Sequence, residues 1–226
     1  MDVTFLQTLL ASSQAPWLPD VVVARWALHG AWGVVLGAIT WQLGRAFFPA
    51  WRGWLAAAVL GWALWPGPES PAFWLGLAFQ SPSLMSVCLC VGWVLQPRRS
   101  HPWADRCAAG GTGSWCVLAG AGVVLGWVLL LDMLAWWPVS VYAWGFGSAA
   151  LAGVVVLALL LWLAAGASPS GRAASLSLAA VLGVFVLTRL PSGNVWDALL
   201  DPWLWVLLQV GGAVVGLRRL VSARRW

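Results

Sequence analysis

The chain has 226 residues, of which 62% are hydrophobic and 8% charged. Soluble domains carry about 25% charged residues, so the composition excludes an ordinary soluble domain and belongs to the membrane class. The net charge of +5 comes from 12 Arg, no Lys and 7 acids, but the arginines fall in separate loops and make no nucleic-acid patch.

Residues 1–20 are too short to span and contain Pro16 and Pro19. They read as a segment lying along the interface. No basic region precedes the first apolar run, and Asp2 is acidic, so no cleavable signal is expected.

The first span is expected over Val21–Leu43. At about 100° per residue, Arg25, His29, Trp32, Gly33, Leu36, Gly37 and Thr40 share one stripe. Ala27, Leu28, Ala31, Val34, Val35 and Ala38 make the opposite, purely apolar arc. Arg25 and His29 stand one turn apart. Gly33 and Gly37 continue their line as a small-xxx-small pair that admits a close helix neighbour.

Six more spans follow, each near the ~20 residues that a crossing helix needs. They are expected at Gly53–Trp65, Ala72–Leu95, Trp115–Trp137, Tyr142–Ala164, Ala173–Leu190 and Pro202–Leu217. Gly53–Trp65 is the shortest, and a re-entrant segment is its alternative. Two further glycine pairs, Gly122/Gly126 and Gly212/Gly216, repeat the packing signature. The expected architecture is therefore all-α: a polytopic helical bundle over 21–217, closed by an Arg-rich tail at 218–226.

Alternation of seven helices puts Arg45, Arg52, Arg98, Arg99, Arg106, Arg172, Arg218, Arg219, Arg224 and Arg225 on one side, with Asp105. The other side receives the six remaining acids, with Arg25 and Arg189 at its boundary. The positive-inside rule then places the C-terminus in the cytoplasm and the N-terminus outside. Arg without Lys, beside abundant Ala, Gly, Pro and Trp, points to GC-rich coding and so to a bacterial inner membrane. The layout is similar to that of the rhodopsins in topology alone, and a chain without Lys forms no retinal Schiff base. Most of the 21 Trp fall near span ends, as an aromatic belt does. Trp32 and Trp127 lie nearer mid-span and are candidate pocket walls.

The chemistry these residues support is limited. Gly111-Thr112-Gly113-Ser114-Trp115 is not the G-x-S-x-G elbow. Ser114 and His29 are expected in opposite leaflets. Cys88 and Cys90 are not a CxxC pair, and His101, Asp105, Cys107 and Cys116 match no zinc spacing. A reducing inner side argues against disulfides there. No catalytic residue, metal or cofactor is expected.

The ionisable residues at similar outer depth are Arg25, His29, Asp132 and Arg189. Asp132, inside Leu129-Leu130-Leu131-Asp132, is costly in a membrane unless paired, wet or protonated. Arg25, Arg189 or protonated His29 are its expected partners. This set is the candidate site for an anionic or protonatable solute, or for a proton-linked switch at His29. The leading expectation is an inner-membrane protein that handles a small solute or lipid-like molecule near its outer face. The alternative is a non-catalytic scaffold or assembly subunit of a larger membrane complex. Its expected partners are membrane lipids and other integral subunits.

Overall fold

The computed structural model describes residues 18–95, 113–136, 138, 140–166 and 168–223. These are helical, with no strand among the described residues. The interfacial segment expected over residues 1–20 lies largely outside the described residues, and of the tail expected at 218–226 residues 218–223 continue the last helix while 224–226 lie outside the described residues. Four helices are long and apolar enough to cross a membrane: Val21–Phe47, Ser114–Met133, Ser148–Ala165 and Gly171–Thr188. Arg52–Leu64, Leu84–Leu95 and Pro202–Arg218 are shorter apolar helices.

The described residues fall into two compact units. The first begins with α1 (Val21–Phe47). Asp20 starts it, its carboxylate accepting from the Val22 and Val23 amides at 2.8 and 3.2 Å, the usual way to satisfy first-turn donors. Pro49 follows the helix end and prevents its continuation. After a four-residue link, α2 (Arg52–Leu64) returns along α1.

The glycines of α1 explain how close the two helices come. A Cβ at Gly33 would stand 3.5 Å from the Ala63 Cβ, and one at Gly37 3.5 Å from the Ala56 carbonyl oxygen. At Gly44 it would stand 2.8 Å from the Arg52 Cβ, which is overlap. The first small-xxx-small pair is therefore an internal α1–α2 contact. The core beneath it is Trp32, Ala63 and Ala72, packed against Leu28, Val35, Leu36 and Leu75.

The single span expected over Ala72–Leu95 is two helices, α3 (Pro71–Phe79) and α4 (Leu84–Leu95). Ser81-Pro82 causes the break. Proline removes an amide donor and disfavours helix in the residue before it. The chain leaves α3 through Gln80 at φ +61, and the Ser83 hydroxyl accepts from the Ser86 amide at 3.1 Å to start α4.

The second unit contains α5 (Ser114–Met133), the single turn α6 (Val141–Trp144) and α7 (Ser148–Ala165). It also holds most of α8 (Pro169–Thr188), and α10 (Pro202–Ala223). The expected span Tyr142–Ala164 is thus divided at Gly145-Phe146-Gly147. The residues from Gly183 to the end of α8 belong to the first unit, as does α9 (Val195–Leu199), which packs on α4. Asp201 caps α10 through the Leu204 amide at 2.8 Å, with Pro202 at the first helical position, where its missing N–H does no harm.

α5 and α10 meet through the second glycine pair. A Cβ at Gly122 would stand 2.8 Å from Leu208 Cδ1, and one at Gly126 would overlap the Trp205 indole. The third pair differs, because a Cβ at Gly212 or Gly216 would meet nothing within 4 Å.

Candidate functional site

His29 is 6% exposed, on the face of α1 that meets α2. Its Nδ1 lies 2.8 Å from the Ala63 carbonyl oxygen. A carbonyl only accepts, so Nδ1 carries the proton. Ala63 is in the last turn of α2, where carbonyls lack an intrahelical partner. Pro66 and Gly67 follow, and no further turn forms to supply one. His29 fills that vacancy from the neighbouring helix.

Ser70 joins the same carbonyl from the other side. Its hydroxyl is fully buried and donates to Ala63 O at 2.8 Å. It accepts from the Ala72 amide at 3.2 Å, as the cap of α3, and lies 3.5 Å from His29 Nδ1. Trp32, one turn further along α1, donates its indole N–H to the Gln80 carbonyl at 2.8 Å. So α1 holds the last turn of α2 through His29 and the end of α3 through Trp32. Ser70 was not singled out from sequence, although Ser70-Pro71 is a helix-start signal.

Asp132 is in the last turn of α5. Its Oδ2 accepts from the Tyr142 amide at 2.7 Å and the Ser140 hydroxyl at 3.1 Å, and its Oδ1 from the Val141 amide at 3.0 Å. The carboxylate therefore ties the end of α5 to the start of α6 with three neutral donors. The chain reverses after Met133 through Ala135 at φ +52, which brings 140–142 back to Asp132.

Arg25 is exposed on α1, one turn from His29. Arg189 follows α8 in a left-handed conformation, φ +57. Its guanidinium carbon lies 5.4 Å from the Phe185 ring centroid, and its carbonyl accepts from the Gly193 amide at 2.7 Å. Trp32 is 6% exposed, a core residue. Trp127 is exposed and meets Trp205 edge to face, centroids 5.2 Å apart.

Ser114 is buried at the start of α5, and a Cβ at Gly171 would lie 3.2 Å from its hydroxyl; it packs α5 against the start of α8. Among the described residues no group of three His, Cys, Asp or Glu is placed to hold a metal. His101, Asp105 and Cys107 lie outside the described residues. Cys88 and Cys90 are not in a disulfide, whereas Cys116 is disulfide-bonded. The expectation of no disulfide on the inner side rests on the compartment alone, which does not say which thiols meet.

His29, Ser70 and Asp132 thus make hydrogen bonds that close helix ends, and Trp32 and Trp127 are packed against neighbours. No protein-family model, no curated protein and no solved structure matches this chain.

Proposed function

We propose that the chain is a non-catalytic, multi-pass integral protein of a bacterial inner membrane, a scaffold or assembly subunit that works by helix–helix association. The single observation that carries this reading is the outer seam of α10. Trp203, Leu207, Val210, Val214, Leu217 and Val221 recur at alternating steps of four and three, and every one is exposed. That spacing is the seam of a helix pair. α5 adds to the argument, since 6% of its apolar window is buried in the structure, which leaves most of it for lipid or other helices.

The same reading keeps seven crossings, with the N-terminus outside and the C-terminus cytoplasmic. α2 has 13 residues, about 20 Å at 1.5 Å per residue, and crosses only with its flanking turns. α3 and α4 together make one interrupted crossing. The disulfide at Cys116 argues the other way for its own loop, because a cytoplasm keeps thiols reduced. The arginine count draws on three loops and the tail, and it weighs more.

The other reading, a solute site built from Arg25, His29, Asp132 and Arg189, is less well supported. It needs His29 and Asp132 to present polar atoms to a ligand, and both hold backbone groups instead.

Cysteine scanning of α10 in native membranes tests the assembly reading. Cysteines at Leu207, Val210, Val214 and Leu217 are expected to cross-link to one partner, with Leu208, which faces α5, remaining silent. Uniform weak cross-linking at all five positions would contradict it.

A further inference from the structure

The corner between α1 and α2 has features that the packing of these two helices does not use. A groove of about 540 Å³ opens there, lined by Trp41, Pro49, Ala50, Arg52, Gly53, Trp54 and Ala57. The Arg52 guanidinium carbon lies 4.6 Å from the Trp41 ring centroid. Stacking uses the face of the guanidinium and leaves its in-plane N–H donors available for a two-oxygen acceptor. The Trp41 indole N–H is itself buried with no hydrogen-bond partner. That nitrogen is enclosed, so the groove wall itself presents the Arg52 cation, held against the indole face.

Three more observations indicate what fits. First, α2 opens without a side-chain cap or an acid in its first turn, and its first three residues line the groove. Its partial positive charge adds to that of Arg52, and no acid lines the groove. Second, a membrane-crossing α1 puts the corner at headgroup depth. α1 has 27 residues, about 40 Å at 1.5 Å per residue, which matches the ~40–45 Å of a bilayer with its headgroups. Third, exposed aromatic residues stand at and beside the groove: Trp54, which lines it, is 76% exposed, and Phe47 and Trp51, next to lining residues in the chain, are 71% and 66% exposed.

We propose that this groove binds the phosphate of an acidic phospholipid, with Arg52 as the charged contact and the aromatic rim against the upper acyl chains. A zwitterionic headgroup brings its own cation toward Arg52, and inorganic phosphate leaves the rim uncovered. The lipid must therefore carry net negative charge and chains together. Arg172 supplies the contrast. Its guanidinium also lies near an indole, 5.3 Å from Trp162, but its Nε donates to the Gly166 carbonyl at 2.7 Å and so closes the end of α7.

The test is native mass spectrometry of the full chain in mild detergent, offered equal phosphatidylglycerol and phosphatidylcholine. Wild type is expected to retain phosphatidylglycerol preferentially. Arg52→Gln is expected to lower the retained ratio by at least about five-fold, the value of one arginine at an anionic surface, and Arg172→Gln is expected to leave it unchanged. Should Arg52→Gln not fold, Arg52→Lys carries the test. It keeps the charge and loses the planar fork, and a ratio lowered roughly twofold is expected. An unchanged ratio in the Arg52 variant, an equal fall in Arg172→Gln, or displacement of the lipid by inorganic phosphate would each overturn the proposal.

Discussion

Replacing Ser70 by alanine removes one oxygen that three structural elements share. The hydroxyl is fully buried, donates to Ala63 O at 2.8 Å and accepts from the Ala72 amide at 3.2 Å. Loss of a serine cap costs about 1 kcal/mol. Loss of the bond to Ala63 O costs about 1 kcal/mol net. The 3.5 Å approach to His29 is too long to add much. The sum is about 2 kcal/mol, which lowers the folded-to-unfolded ratio roughly thirty-fold. The Ala63 carbonyl is not orphaned in this variant, because His29 still donates to it.

That sharing makes the argument sharper in a double-mutant cycle. His29→Ala alone leaves Ser70 on the carbonyl, and Ser70→Ala alone leaves His29. The double variant leaves the carbonyl bare in a buried site, which adds about 1–3 kcal/mol. Equilibrium unfolding in mixed micelles, read for wild type, both singles and the double, measures the coupling. The reasoning is refuted if Ser70→Ala costs under about 0.5 kcal/mol, or if the two changes add without coupling beyond the ~0.3–0.5 kcal/mol expected of independent sites.

Further expectations follow from the same contacts. Asp132→Asn replaces charge-assisted bonds by neutral ones and turns an amide NH₂ toward backbone donors, so it should destabilise by about 1–2 kcal/mol. Its signature is reduced abundance in the membrane; full abundance with loss of a transport activity would instead mark a solute site. Gly126→Ala forces a methyl into the Trp205 indole and should cost about 1–3 kcal/mol by thermal unfolding, whereas Gly212→Ala, in open space, should be neutral or stabilise by up to about 1 kcal/mol. Alkylation of the unfolded, unreduced chain followed by peptide mapping should label Cys88 and Cys90 and spare Cys116 until reductant is added. Labelling of Cys116 without reductant would show that its disulfide does not form in the cell.

The all-helical, membrane-type fold was legible in the sequence because it depends on local quantities. The apolar run from Val21, the capping Asp20 before it and Pro49 after it define α1 without any tertiary information. Gly33/Gly37 and Gly122/Gly126 announced close packing, and both pairs provide it. The interruption at Ser81-Pro82-Ser83 was written in the sequence too, but the apolar residues on either side concealed it. What was not legible was the identity of partners. Nothing local says that His29 meets a carbonyl 34 residues away. Asp132 was legible as a polar group in a leucine run, but not its local donors, which lie 8 to 10 residues on and are brought back by a reversal through a left-handed residue at Ala135.

We propose that this chain acts through association of its helices and not through a solute site. The most direct measurement is the mass of the tagged chain taken from its native membrane in mild detergent, compared with a Leu207→Ala/Val210→Ala/Leu217→Ala variant. The account predicts one defined complex of fixed stoichiometry for wild type and a lone chain of normal abundance for the variant. A lone wild-type chain that carries a small molecule, released by substitutions at His29 or Asp132, would contradict it.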